Sequence, residues 1–111
     1  MIIHICITIC MEEWKLPGLR RIVLDVLKVH EPKITDISMK LCALDKVEGV
    51  NISVYEIDKQ TENIKITIEG NDIDYKPIKE IIESMNGVIH SIDEVAAGKT
   101  IIEKVITPQD R

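Results

Sequence analysis

The fold is decided by the stretch VNISVYEIDKQTENIKITIEG, residues 50–70. Ile64, Ile66 and Ile68 take alternate positions in its second half, 63–70, and residues 50–58 begin with the same alternation, with Val50, Ile52 and Val54 between polar side chains. An alternation of period two predicts a β-strand with one apolar face. The polar residues 59–62 predict a turn, so we expect the two strands to form an antiparallel hairpin.

A strand and then a helix are predicted before this hairpin. Residues 20–28 alternate, with isoleucine, leucine and valine sharing one face. Apolar side chains then recur at helical spacing, which predicts an amphipathic helix over 32–46. Pro32 is expected in the first turn of this helix, where its missing N–H would have no partner in any case.

A second helix and two more strands are predicted after the hairpin. Asp72 or Asp74 is expected to cap the helix, whose apolar stripe ends before Gly87. Gly87 is expected to stop the helix in a left-handed conformation. Residues 88–95, VIHSIDEV, predict a strand, and residues 100–106, TIIEKVI, predict a last one.

Each helix has one apolar stripe and each strand one apolar face, so both helices are expected on one face of an antiparallel sheet. This predicts an α+β fold, a ferredoxin-like βαββαβ plait with strand order 4-1-3-2. The strand over 20–28 is then central, beside 63–70. An extra C-terminal strand over 100–106 and an N-terminal extension strand over 2–10 are expected to flank the plait.

The composition is that of one small domain. The chain has 111 residues, of which 45% are hydrophobic and 30% charged, a balance typical of folded proteins. The predicted division is an extension over 1–18, a ferredoxin-like domain over 19–107 and a tail over 108–111. A net charge of −5 and central strands without aromatic side chains argue against nucleic acid or a membrane surface as partners.

The cysteines predict the compartment. Cys6, Cys10 and Cys42 are an odd number at wide spacing, which is not a disulfide framework. Cys42 follows Leu41 in the first predicted helix and is expected in the core. The first ten residues lack the features of a leader peptide and are about half the length of a membrane span. We therefore expect a cytoplasmic protein with reduced thiols.

Four segments of the chain resemble one protein family. They read LDVLK-x-HEP, GVNISVYEID, TENIKITIEG-x-DID and GVIHSIDEV-x-AGK. From about Arg20 to Val105 the chain resembles the archaeal family catalogued as domain of unknown function 211. The resemblance implies the same ferredoxin-like plait. It implies no mechanism, because the family has no established activity, and residues 1–17 lie outside the matched stretch.

Two histidines are candidate ligand-binding residues. His30 follows the strand over 20–28, and the neighbouring strand that carries His90 starts near the same end. The two imidazoles are therefore expected within reach of each other, as a ligand site or an acid–base pair requires. The alternative is two independent polar residues at strand ends. The chain contains no phosphate-binding loop, nucleophile elbow or zinc-protease motif, which favours a protein that is not an enzyme.

Surface carboxylates are candidate ligands for calcium or magnesium. Glu56 and Asp58 lie at the hairpin, and Asp93 and Glu94 lie on the strand over 88–95. Hard cations take several oxygen ligands from several segments, so a site is expected at a junction between subunits. The alternative is a solvated acidic surface, since no run matches a calcium-binding loop.

The side of the sheet without helices is expected to be an interface. Its predicted apolar residues are Val23, Leu27, Tyr55, Ile57 and Ile92. Such a patch usually marks a contact surface. The flanking strands over 2–10 and 100–106 can pair with an edge such as 50–57 in the same or another subunit. Head-to-tail pairing closes into a ring; the alternative is a monomer or simple dimer.

The sequence thus favours a cytoplasmic, non-enzymatic homo-oligomer that binds or senses a small ligand or an ion. The alternative function is a divalent-cation-binding protein with carboxylate sites at subunit junctions.

Overall fold

Four strands and two helices form in the computed structural model, which describes residues 18–105. The elements are β1 (Leu19–Val29), α1 (Ile34–Cys42), β2 (Val47–Ile57), β3 (Thr61–Ile73), α2 (Tyr75–Ser84) and β4 (Gly87–Ala97). The predicted α+β class and the βαββαβ element order are confirmed. The predicted N-terminal strand over 2–10 lies outside the described residues.

The sheet is antiparallel, with the spatial order β2-β3-β1-β4. Read from the other edge, this is the predicted order 4-1-3-2. β1 is therefore central, paired with β3 on one side and β4 on the other. The predicted hairpin joins β2 and β3, with Ile52 opposite Ile66 and Val54 opposite Ile64.

One face of the sheet is covered by the helices. α1 packs against β2, and α2 packs against β4. The apolar members of the alternating series form the core under them, and burial of each such side chain contributes about 1.5–3 kcal/mol. The buried residues are Ile22, Leu24, Val26, Ile37, Leu41, Ile64, Ile66, Ile68, Ile73, Ile78 and Ile82.

The first helix is shorter than predicted. It begins at Ile34, so Pro32 precedes it instead of lying in its first turn, and it ends at Cys42. The prediction that Cys42 lies in the core is wrong, because its side chain is exposed. Consecutive helical residues point about 100° apart, and the direction toward the core belongs to Leu41, which is completely buried.

The end of the second helix also differs from the prediction. Asn86, not Gly87, takes the left-handed conformation, with φ of 66°; asparagine tolerates this region better than most residues. Gly87 is the buried first residue of β4. A Cβ at this position would lie 2.8 Å from Ile82 Cγ2 and 3.1 Å from Val26 Cγ1. The glycine is needed there for close packing of β4 on α2 and β1.

The last predicted strand is not formed in the single chain. Residues 101–105 have no regular secondary structure. The Gly98 N–H donates to the Gly18 carbonyl at 3.0 Å, and Glu103 contacts Arg21 of β1 at 2.8 Å. These contacts tie the start of the segment to the chain before β1 and its middle to Arg21, and residues 101–105 are not paired as a strand. No helix between residues 18 and 105 is long and apolar enough to cross a membrane.

Candidate functional site

The sheet face opposite the helices, called the open face below, has three zones. The odd-numbered residues of β1, from Arg21 to Val29, run along its middle, since their even-numbered neighbours are in the core. The charged end consists of Arg21, Glu69, Glu94 and Glu103. The polar centre consists of Asp25, Tyr55, Lys65, Ser91 and Asp93. The apolar end consists of Leu27, Val29 and Val88.

Three carboxylates surround one guanidinium at the charged end. Arg21 Nε lies 2.7 Å from Glu69, and its Nη1 lies 3.1 Å from Glu94 and 2.8 Å from Glu103. Hydrogen bonds to these carboxylates, Glu103 first, raise the pKa of Arg21, and the guanidinium lowers the pKa of Glu103. Three carboxylates against one cation leave an excess of two negative charges at this end.

Hydrogen bonds, an ion pair and a cation–π contact together link all four strands at the polar centre. The Tyr55 hydroxyl donates to Asp25 at 2.5 Å, and the Ser91 hydroxyl donates to Asp93 at 2.7 Å. The Lys65 ammonium lies 2.9 Å from Asp93 and 5.9 Å from the centre of the Tyr55 ring. The bond to Asp25 raises the pKa of Tyr55 to about 12. Ser91 and then Lys65 lower the pKa of Asp93.

The four predicted cation ligands do not meet in one chain. Asp93 and Glu94 contact a lysine and an arginine, as described above, and Glu56 accepts a hydrogen bond of 2.7 Å from Asn63. The Asp58 backbone closes the hairpin turn through its N–H. Across residues 18–105, no three histidine, cysteine or carboxylate side chains form a group that would hold a metal ion. A site shared between subunits stays a prediction.

The predicted interface residues lie on both faces of the sheet. Val23, Leu27 and Tyr55 are on the open face. Ile57 lies opposite Glu62, and Ile92 lies opposite Leu24. These partners belong to the helix-covered face, and residues directly opposite in a sheet point to the same side. The sequence-based placement of these two isoleucines is therefore wrong.

Irregular pairing explains this error. The register shifts between Val54 and Glu56 on β2, and twice along β4 beside β1. Each such bulge adds one residue and inverts the alternation beyond it. The predicted interface set also did not include Val29 and Val88, which belong to the apolar end. Val88 lies opposite Leu27, a pairing that the predicted antiparallel neighbours already implied.

A buried lysine was also missed by the sequence analysis. The Lys28 side chain is completely buried, and its ammonium donates to Glu62 at 2.8 Å and to the His30 carbonyl at 3.2 Å. The hydrogen bond from Lys28 is the largest cause that lowers the pKa of Glu62. Lys28 continues the even-numbered series of buried β1 residues, so the alternation itself contained the signal.

His30 is held by the hairpin and not by His90. Its Nε2 lies 3.0 Å from the Asp58 carbonyl and 2.9 Å from the Lys59 carbonyl. Because carbonyls only accept, Nε2 carries the hydrogen; Nδ1 lies 3.6 Å from Glu62. His90 is exposed in a bulge level with Val26. Val26 precedes His30 by four positions along the chain, so the two histidines lie about 13 Å apart along the strand direction.

A cavity lies beside His30, at the junction of β1 and α1. Its volume is about 370 Å³. It is lined by His30, Glu31, Lys33, Ile34, Thr35 and Glu62. Of the two predicted histidines, the structure therefore places His30 at a cavity and His90 on an exposed strand edge.

Comparisons with known proteins agree with the resemblance noted in the sequence. The model of the family named domain of unknown function 211, described as uncharacterized ArCR, matches residues 20–111. The chain is similar to a curated protein of Methanocaldococcus jannaschii, "Uncharacterized protein MJ0319". The two are 69% identical over 94 residues, which are 85% of this chain and 97% of that protein. Neither description names an activity.

Proposed function

The chain belongs to the domain of unknown function 211 family, and we propose that it is a non-enzymatic binding or sensing module built from several copies of itself. We also infer that its fold is the ferredoxin-like plait. The strand order β2-β3-β1-β4 and the two helices on one face support this assignment.

One observation carries the proposal of self-assembly. Within residues 18–105 the sheet has two edges without a paired strand, β2 and β4, and one face without helices. The apolar end of that face exposes Leu27, Val29 and Val88 next to one another. Unpaired strand edges and contiguous apolar surface are the features through which chains associate. A closed ring of copies would cover the strand edges and the apolar end of the open face.

The cavity beside His30 is the ligand site of the proposed module. It combines an imidazole, a carboxylate and a lysine with an apolar wall from Ile34, a mixture typical of sites for small polar molecules. A non-enzymatic role is supported by the state of His30. Its Nε2 hydrogen is already donated to the carbonyls of the hairpin turn, which disfavours proton transfer at that nitrogen.

The chemistry of the described side chains also bears on nucleic acids, membranes and the cellular compartment. The carboxylates of Asp25, Glu69, Asp93 and Glu94 lie on the open face, which disfavours the phosphates of nucleic acids and anionic membranes. An exposed free thiol at Cys42 favours the reducing cytoplasm. Binding of calcium or magnesium has no specific support within residues 18–105 and stays a prediction of the sequence.

Light scattering over a concentration series tests the assembly. The full chain is expected to have the mass of several subunits at micromolar concentration. A mass of 12.6 kDa at every concentration would refute the proposal. The ligand part is tested by mass spectrometry of the native protein before and after His30→Ala: a small molecule bound to the unchanged chain and lost from the variant supports it, and bare subunits in both cases contradict it.

A further inference from the structure

We propose that residues 100–106 of one chain, called the C-terminal segment below, pair as an added strand with the free edge of β2 in a second copy. The inference rests on the proposed self-assembly and deepens it, because it names the donor segment and the acceptor edge. It is carried by three observations: the state of the segment, its direction, and a difference between the two edges of the sheet.

The C-terminal segment has the composition of a strand, and its described residues, 100–105, are not in one. It reads TIIEKVI, which is rich in β-branched residues, and the family match extends over it. In the single chain residues 101–105 have no regular structure. Ile102 is 82% exposed and Val105 is 78% exposed, the highest values among large apolar residues of the described chain. Water contact of this extent is unfavourable for both side chains.

The direction of the segment takes it away from its own edges. After Gly98 the chain turns toward Arg21, which holds Glu103 at 2.8 Å on the open face. Arg21 belongs to the central strand β1, so Glu103 reaches over the open face, and residues 101–105 form no strand beside β4. In this position the segment is presented outward, where the edge strand of another copy can receive it.

The two edges differ in how well they are protected. β4 has two bulges, and it carries His90, Asp93 and Glu94. Bulges and charged side chains are devices that prevent pairing at an edge. β2 also has two register shifts, but they lie at the ends of the run GVNISV, residues 49–54, which pairs with β3 in unbroken register and has no proline and no charged residue. β2 is therefore the edge that is open to an added strand.

The added strand would also complete the burial of β2. Val50, Ile52 and Val54 point toward α1, but each remains partly exposed at the edge. Isoleucine and valine side chains of an added strand would cover them from the side. Each chain gives one segment and accepts one, so the contact is head-to-tail and can close into a ring.

The first test changes the donor. Ile102→Asp with Val105→Asp puts two charges into the proposed strand, at positions too exposed to affect the fold of one chain. The affinity between subunits is expected to fall by about 100-fold or more, so sedimentation at micromolar concentration should show monomers. The matched control is Met39→Asp on α1, which is 74% exposed and should leave the assembly unchanged.

The second test changes the acceptor edge and then mixes the acceptor variant with the donor variant. Asn51→Lys with Ser53→Lys charges the open β2 edge and should also give monomers. The acceptor variant keeps an intact donor, and the donor variant keeps an intact edge. Mixed together, they are expected to form a dimer with one chain of each kind, which neither forms alone.

The outcomes separate this inference from the proposed function. Monomers of the unchanged chain would refute both. An unchanged chain that assembles, together with a donor variant that assembles equally well, would overturn only the pairing inferred here. A mixture of the two variants that stays monomeric would overturn it as well.

Discussion

The two faces of the sheet are held by different forces. The helix-covered face is aliphatic and dry, and its buried apolar side chains come from the two central strands, β1 and β3, and from both helices. The open face is a series of ion pairs and hydrogen bonds at its charged end and polar centre, and it is apolar only around Leu27, Val29 and Val88. Burial of apolar area is worth far more per side chain than an exposed ion pair.

This difference indicates that the open face is not a general hydrophobic interface. Five carboxylates share the charged end and polar centre with only two cations, Arg21 and Lys65. Two such faces brought together would place like charges against each other. Assembly is therefore expected at the strand edges and the apolar end, and the centre of the face is expected to stay in water.

The largest effect is expected from a substitution on the covered face. Ile66 is completely buried on central strand β3, and Ile66→Ala should lower the free energy of unfolding by about 4 kcal/mol through lost burial and a cavity. The matched control is its neighbour Thr67→Ala on the open face, expected within about 0.5 kcal/mol of the unchanged chain. Urea unfolding measures both, and equal losses would contradict the difference between the faces.

The buried ion pair is expected to come next. Glu62→Ala leaves the Lys28 ammonium buried without its carboxylate, which should cost about 3 kcal/mol. The double variant Lys28→Met, Glu62→Leu removes both charges and should recover most of that loss. Thermal unfolding of the three chains gives the comparison. A double variant less stable than Glu62→Ala would show that the pair itself stabilises the covered face.

A smaller loss is expected at the start of β4. Gly87→Ala places a methyl group 2.8 Å from Ile82 Cγ2, which should cost about 2 kcal/mol of stability because the packing must shift. Gly49→Ala on β2 is the control, since a Cβ there meets nothing within 4 Å. If the two alanine variants unfold at the same denaturant concentration, the close packing at Gly87 is contradicted.

The smallest effect concerns ionisation at the polar centre. The folded pKa of Tyr55, raised to about 12 by Asp25, lies above the ordinary value of about 10. The bond therefore stabilises the fold fully below about pH 10 and is lost as the pH rises through 12. Asp25→Asn should lower the pKa of Tyr55, measured as phenolate absorbance. Glu31→Gln, away from this network, is the control, and an unchanged Tyr55 titration in Asp25→Asn would contradict the network.

Most of the fold was predictable from the sequence, because alternation in 20–28, 50–58 and 63–70 reports burial directly. What failed were positions decided by neighbours in space. Gly87 was expected at a helix end but serves a close approach between elements. The bulges that displace Ile57 and Ile92 show in the sequence only as a change of the apolar spacing from two to three residues, from Val54 to Ile57 and from Ile89 to Ile92.

The candidate site was less predictable than the fold. His30 was identified from the sequence. Its contact with Glu62, and that of Glu62 with Lys28, depend on how β3 pairs with β1, which periodicity alone does not give. The expected meeting of His30 with His90 required both to lie at the same strand end. The β4 register instead places His90 level with Val26, several residues back along the sheet.

Mass spectrometry of the intact native protein tests the central claim most directly, because one spectrum counts subunits and retained small molecules together. The account predicts a single closed oligomer of the full chain, which the paired Ile102→Asp and Val105→Asp substitutions convert to monomers. A spectrum of the unchanged protein that contains monomers alone would contradict it.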